Sequence, residues 1–545
     1  MPNPKFRMMW MFPRNIRKIE AWKLVQISQL LEACTGNTTS QTVQDQLYDQ
    51  LENLGLKCKA NAHGVKNPGG MRTYFAQLSC LGLFWQDHDR GYSSTFAGEE
   101  LINARSPLRI LRCQLLRMQY PSVYGLGRNV SVDPSMKVKP FVFLIELWQD
   151  PRLGGYLTCL DIAVAVVYGR THKCHDICVE KILKVRETGD LATVIESVDD
   201  VRTPKRYHEH NPEEDLARGI QDAKDIANTA KNYLESAQLI VTDAEDNKRF
   251  ELNEDVCVQG DICTWMDERI EPLDPDHLAA WQQRFGRYTK TKSIRSRSTQ
   301  QINGEKALVC SNFINAVTEA PYAFNLQAFI NDQAATYGKT PAEIGLLISG
   351  VRDRVANIER DTIKQAAASG GREAISLEKA VTGIFRKLGF DLSEHIGQKT
   401  ASNREGGYPD IRIRASGMTE CGFGDSKATM NYGLPLNDTI KLKTYYKDCW
   451  QEFDDKTPSK FFLYIAGGFG KSAKAVESSL QKCSESYGQP VSAVTVDALL
   501  DLVEMTNPPP AAKLMNAFKK GGYFASCVDV ENAVYPNSAV NLLSR

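Results

Sequence analysis

The chain has 545 residues, too many for one hydrophobic core and enough for roughly three or four domains. Hydrophobic residues make up 42% and charged residues 24%, a balance that excludes a disordered chain. Lys plus Arg and Asp plus Glu are equal at 66 each, which excludes a uniformly basic coat, so any charge used to hold nucleic acid must be gathered into patches.

The 14 Cys lack the dense, regular spacing of a secreted disulfide framework and fit reduced thiols in a cytoplasm. At the start of the chain the apolar run over residues 8–12 is cut off by Pro13 and Arg14, too short for a signal-peptide core or a membrane span. Helical spacing of apolar residues follows over 22–31 and 43–54, with Thr39 and Ser40 as candidate caps. After Asn67-Pro68-Gly69-Gly70 a third helix is expected through Met71, Tyr74, Phe75, Leu78 and Leu81 to Gly82, and residues 91–96 read as a wing. That is the order of a winged helix-turn-helix, whose third helix enters the DNA major groove. Lys66, Arg72, Thr73 and Gln77 are then the candidate base and phosphate readers.

The order recurs. Helical segments over 159–170 and 173–186, an amphipathic helix over 220–239 and a hairpin over 240–252 turning at Asp246-Asn247-Lys248 predict a second winged module. Two modules suit a protein that reads several base pairs, because one recognition helix spans only a few base edges. His172, Cys174, His175 and Cys178, with Cys257 and Cys263 further on, are of zinc-ligand type. Their spacing matches no common finger, and Cys174 and Cys178 share a helix face, so packing is the expectation there. From Arg284 to Arg297 six cations occur with no acid among them. Arg287, Lys290 and Lys292 are the candidate phosphate contacts of this stretch, which reads equally as a solvated linker. Residues 306–368 are expected to be mostly helical, with a joint over 366–371.

Beyond that joint, helix and strand alternate: a helix over 375–388, strands over 409–414 and 422–428, a helix over 438–453, a strand over 461–466, a helix over 472–484, a strand over 491–496 and a helix over 497–504. Gly470-Lys471-Ser472 lacks the first glycine of a P-loop, so nucleotide use is set aside. Tyr408-Pro409-Asp410 opens one strand and Asp425-Ser426-Lys427 closes the next, so two carboxylates can meet across neighbouring strands. Period-two alternation puts Asp425 and Lys427 on one face. Two hard oxygen donors suit Mg²⁺, and the ammonium of Lys427 can orient the attacking water or stabilise charge on the phosphate. Glu378, on the preceding helix, is a candidate further ligand to the metal or its water. The pattern is that of a PD-(D/E)xK nuclease.

The runs Gly422-Phe423-Gly424-Asp425-Ser426-Lys427-Ala428, Asn431-Tyr432-Gly433-Leu434-Pro435-Leu436 and Lys460-Phe461-Phe462-Leu463-Tyr464-Ile465-Ala466-Gly467-Gly468-Phe469-Gly470 resemble the FokI-type cleavage domain of type IIS restriction endonucleases, as do 493–500 and 518–524. The likeness is collinear over about 342–545. It implies a metal-dependent phosphodiesterase that cuts double-stranded DNA outside the recognised sequence, with Asp410, Asp425 and Lys427 as its catalytic core and Glu378 near the family's helix acid. It also implies a bacterial cytoplasmic enzyme, a transient homodimer on DNA and a companion DNA methyltransferase in the host. The family's dimerising charges fall at Ile440 and Thr444, so that charge pairing does not carry over. A strand-specific nickase, and a winged-helix binding protein with an inactive nuclease domain, are the alternatives.

The expected architecture is α+β and multidomain: winged-helix-like recognition modules over 1–126 and 127–258, a helical and basic linker over 259–341, and a PD-(D/E)xK cleavage domain of restriction-endonuclease-like α/β core over 342–545.

Overall fold

Met9, Trp10 and Phe12, from the apolar run near the N-terminus, are fully buried in the computed structural model. The Trp10 indole donates to the Gly169 carbonyl at 2.8 Å. The run is therefore a piece of core. The structure describes residues 6–13, 21–33, 41–53, 71–87, 91–103, 106–126, 131–201, 212–243, 246, 248–253, 269–286, 304–369, 373–396, 409–435, 438, 442, 453, 456–457, 459–470 and 472–536. The chain forms two units, one of Met1–Ile240, Lys248–Asn315 and Ile330–Arg354, the other of Val241–Asn247, Ala316–Phe329 and Val355–Arg545. Among the described residues, no helix is long and apolar enough to cross a membrane.

In the first unit, α1 (Ala21–Ala33), α2 (Gln41–Asn53) and α3 (Met71–Cys80) precede an antiparallel pair, β1 (Phe84–Asp87) and β2 (Gly91–Ser94). Phe75 and Leu78 of α3 are buried, and Phe75 stacks on Tyr92 of β2 with centroids 5.2 Å apart. Gly82, at φ +68°, takes the left-handed conformation that turns the chain from α3 towards β1.

Further on, α4 (Pro140–Gln149), β3 (Tyr156–Thr158), α5 (Cys159–Tyr168), α6 (His175–Thr188), α7 (Pro212–Ser236), β4 (Ile240–Thr242) and β5 (Arg249–Leu252) follow, and the three strands form a sheet of order β3-β5-β4. Ile162 to Val167 of α5 are all fully buried, and Thr158 and Asp161 cap its start reciprocally. The long helix starts earlier than the sequence pattern marks, at Pro212, with Glu213, Glu214 and Asp215 in its first turn, where carboxylates favour the helix dipole. Gly304–Glu319, Leu326–Tyr337 and Pro341–Leu347 are helical, as expected.

The second unit is built on a six-stranded mixed sheet. Its helices and strands are α8 (Val355–Ser369), α9 (Glu373–Lys387), β6 (Phe390–His395), β7 (Ile411–Ala415), β8 (Cys421–Lys427), β9 (Ser459–Ala466), α10 (Ala473–Tyr487), β10 (Val491–Thr495), α11 (Val496–Glu504), α12 (Ala511–Phe518), β11 (Gly522–Phe524) and α13 (Cys527–Val534). The strand order is β11-β10-β9-β8-β7-β6. Strands β8 to β11 pair in parallel, while β6-β7 and β7-β8 are antiparallel.

Each sheet face carries its own core. One packs Leu377, Val381, Ile384 and Phe385 of α9 with Ile411, Ile413, Phe461, Leu463 and Ile465. The other packs Cys421, Phe423, Phe462 and Tyr464 with Val476 and Leu480 of α10. Each such large side chain stabilises the fold by about 1.5–3 kcal/mol. Gly422 is demanded by this packing, since a Cβ there would lie 2.1 Å from the Phe461 ring. The edge strand β6 and the short β11 are additions to the sequence reading. Gly389, at φ +86°, ends α9 and feeds β6 directly.

Candidate active site

The site forms where β7 begins and β8 ends. Their antiparallel register pairs Ile411 with Gly424, and one further step along it sets Asp410 opposite Asp425. Ile411 and Ile413 pack on the α9 side, so alternation turns Asp410 with Asp425 and Lys427 towards the opposite face. The Ser426 amide donates to Asp410 Oδ2 at 2.6 Å. Lys427 Nζ lies 2.6 Å from Asp425 Oδ2. Asp410, Asp425 and Lys427 are thus brought together in the arrangement the sequence predicts.

Two carboxyl groups share this small space, and the electrostatics reflect it. Burial, then the Asp425 charge and hydrogen bond, then Glu378, push the Asp410 carboxyl far above the carboxylate range against the opposing Ser426 amide. For Lys427, burial favours the neutral amine, but Asp425, Asp438 and Asp410 outweigh it and hold the ammonium charged.

Glu378, on α9, accepts from His395 Nε2 at 2.6 Å. It touches the centre through its charge on Asp410. His395 ends β6 and went unmarked in the sequence because the strand itself did. Two further residues were also missed: the Tyr432 hydroxyl donates to Asp438, and Asp438 Oδ2 lies 3.9 Å from Lys427 Nζ. Tyr432 stands in a quoted motif and Asp438 at an expected helix start, but neither position announces a contact with Lys427. Ile440, Thr444 and most of the expected helix over 438–453 lie outside the described residues.

Among the residues expected to contact DNA, Gln77 is corrected. It is fully buried, and its amide donates to the Tyr233 hydroxyl at 3.3 Å, so its side chain cannot reach a base edge. The polar position falls on the inner face of α3 because Tyr233 of α7, whose hydroxyl donates to the Pro13 carbonyl, supplies a polar partner there. Thr73 is half-buried on α3. Lys66, the side chain of Arg72, and Arg287, Lys290 and Lys292 lie outside the described residues, as do Cys257 and Cys263.

In the histidine and cysteine cluster, Cys178 is buried and Cys174 half-buried. His172 Nδ1 is paired with Glu146 at 2.8 Å, and its Nε2 accepts from the Lys139 amide at 3.3 Å. Cys178 is fully buried, and desolvation pushes its thiol well above the ordinary range, against the thiolate a metal would need. No group of three or more metal-ligating side chains is assembled among the described residues.

The site thus joins two acids that face each other across adjacent strands of a mixed sheet with a lysine two residues beyond the second. Residues 356–519 match the family described as "FokI, cleavage domain". Among the solved structures similar to the chain are three of low sequence identity. One is restriction endonuclease FokI, at 12% identity and TM-score 0.29, covering 96% of this chain and 100% of that one. A second is FokI bound to DNA, at 13% identity and TM-score 0.29, covering 85% and 83%. The third is the BpuJ1 endonuclease binding domain in complex with pyrene- and phenanthrene-modified DNA, at 14% identity and TM-score 0.32, covering 48% and 91%. No curated protein matches the chain.

Proposed function

We propose that the protein is a sequence-specific, Mg²⁺-dependent type IIS endonuclease that hydrolyses phosphodiester bonds in double-stranded DNA outside the sequence it recognises. The observation that carries this reading is the juxtaposition of Asp410, Asp425 and Lys427 on adjacent strands of a FokI-type cleavage domain. The donor set fits Mg²⁺, which favours hard oxygens and is commonly held by one or two carboxylates with several waters retained. The fit extends to charge, because a dication would offset the burial and the neighbouring negative charges that push the Asp410 carboxyl above its ordinary range.

Asp410 and Asp425 would hold the ion. Bound there, it would polarise a phosphoryl oxygen as a Lewis acid. Lys427 keeps its ammonium charged beside Asp425, where it can orient the attacking water and stabilise the charge that builds on the phosphate. Glu378, fixed by His395, adds negative charge near Asp410 and can accept a hydrogen bond from that water.

Recognition falls to the first unit. Three helices followed by the β1-β2 pair, and helices preceding the β3-β5-β4 sheet, support two winged-helix modules with Arg72 and Thr73 on the reading helix of the first. Recognition and cleavage then belong to separate stretches of chain, which supports cutting at a distance from the site. One active centre holds one scissile phosphate, so double-strand cutting calls for two cleavage domains to pair transiently on DNA. In a bacterial cytoplasm a companion methyltransferase would protect the host's own sites.

Digestion of supercoiled plasmids in Mg²⁺, with sequencing of the ends, tests this. The expected product is linear DNA whose ends lie at a fixed distance from one shared sequence, formed faster than linearly with enzyme concentration. Nicked circles alone would make the protein a nickase, and untouched plasmid over a range of sequences would reduce it to a DNA-binding protein.

A further inference from the structure

The ammonium of Lys427 stands between two carboxylates. It lies 2.6 Å from Asp425 Oδ2 and 3.9 Å from Asp438 Oδ2, with the Tyr432 ring centroid 5.8 Å away. The Asp438 oxygen that faces Lys427 is itself tethered, because the Tyr432 hydroxyl donates to that same atom. Tyr432 is buried and wedged between Tyr464 and Phe469, with ring centroids 5.6 Å and 5.9 Å away. A buried tyrosine therefore fixes where Asp438 presents its charge.

Lys427 and a cation compete for Asp425, since the oxygen engaged by the ammonium is one a cation would need. Displacing the ammonium into a half-buried site with no counter-charge would be costly. A movement of about 1 Å towards Asp438 would instead complete a second charge-assisted hydrogen bond.

We propose that Asp438, held in place by Tyr432, is a positioning residue that takes over Lys427 when a divalent cation occupies Asp425. The ammonium then stays charged and beside the scissile phosphate while the carboxylate is released to the cation. This rests on the reading of Asp410, Asp425 and Lys427 as a cation-dependent centre.

Tb³⁺ luminescence on the full-length protein tests the exchange without turnover, with Asp425→Asn defining the signal that belongs to this site. Asp438→Asn is expected to raise the Tb³⁺ midpoint about fivefold or more, the scale of a typical coupling between sites. Tyr432→Phe, which keeps the ring but removes the tether, should shift it in the same direction by less. The deciding arm is Lys427→Met: in that background Asp438→Asn should have no effect, because there is no ammonium left to hand over.

An unchanged midpoint in Asp438→Asn overturns the proposal. So does an equal shift with and without Lys427, which would mean that Asp438 acts on the cation directly. If Asp438→Asn fails to fold, Tyr432→Phe in the two Lys427 backgrounds decides in its place. Identical titrations of the wild type and Asp425→Asn would overturn the cation-centre reading and this inference with it, an outcome distinct from the other two.

Discussion

Two clusters in this chain have the residue types of a functional site, and they differ in how far the fold satisfies them. Around residues 172–178 of the first unit, both ring nitrogens of His172 have partners, Cys178 is buried and Cys174 contacts the Thr171 hydroxyl. Gln77 is likewise turned inward to Tyr233. Around residues 410–438 of the second unit, the fold leaves a conflict: two carboxylates crowd each other, and one lysine is shared between two acids. The first arrangement pairs both His172 nitrogens within the fold, while the second leaves two carboxyl groups crowded beside one shared lysine. Strain of this kind marks a functional site more reliably than residue type does.

Asp425→Ala makes the sharpest break between the two. It should lower the cleavage rate at least about 1000-fold while leaving DNA binding within a few-fold, because the substitution removes the proposed cation-holding carboxylate and leaves the proposed recognition modules untouched. Single-turnover rates and binding measured on one DNA check it. A variant that loses binding as fully as cutting would contradict the assignment.

Gln77→Ala should do the reverse, costing about 2 kcal/mol of stability through the loss of a buried hydrogen-bonded side chain, with DNA affinity unchanged. Denaturant unfolding alongside DNA titration tests both halves.

Asp410→Asn sharpens the comparison from the other side. The folded-state carboxyl titrates above its unfolded value, so above the ordinary carboxylate range the metal-free fold retains a proton that the unfolded chain has released. Stability at this site therefore falls as pH rises from that range towards neutrality. Asparagine removes the penalty and keeps an acceptor for Ser426, so the metal-free variant should gain about 1–2 kcal/mol near neutral pH and lose part of the wild type's pH slope. In a unit of this size that is a melting-temperature rise of about 2–8 °C. A variant no more stable than the wild type would show that burying this carboxyl beside Asp425 carries no cost in the metal-free fold.

The smallest effect belongs to the saturated cluster. His172→Ala should cost about 1 kcal/mol through its two hydrogen bonds, and zinc chelators should leave the melting temperature of the wild type unchanged. A drop on chelation would return the cluster to the metal-binding class.

The same contrast explains what the sequence could show. Asp410, Asp425 and Lys427 were legible because strand alternation and a collinear resemblance both act along the chain. The helix-helix-helix-hairpin order was legible because turn residues such as Gly82 mark it locally. The orientation of Gln77 was not, since it depends on Tyr233, 156 residues away. Glu146, which completes the His172 environment, and Asp438, which faces Lys427, were missed for a related reason. Their roles come from tertiary partners, and a carboxylate at a helix start or on a helix surface looks the same in sequence whether or not a lysine or histidine lies opposite. Strand β6 was hidden because Phe390–His395 mixes charged and apolar residues on an edge where one side is exposed.

The central claim, that the crowded carboxylates form a cation-dependent DNA-cleaving centre, is met most directly by incubating supercoiled plasmid with the wild type and with Asp425→Ala, each in Mg²⁺ and in EDTA. The account predicts cut DNA in one combination alone, the wild type with Mg²⁺. Cleavage that persists in EDTA, or in Asp425→Ala, would contradict it.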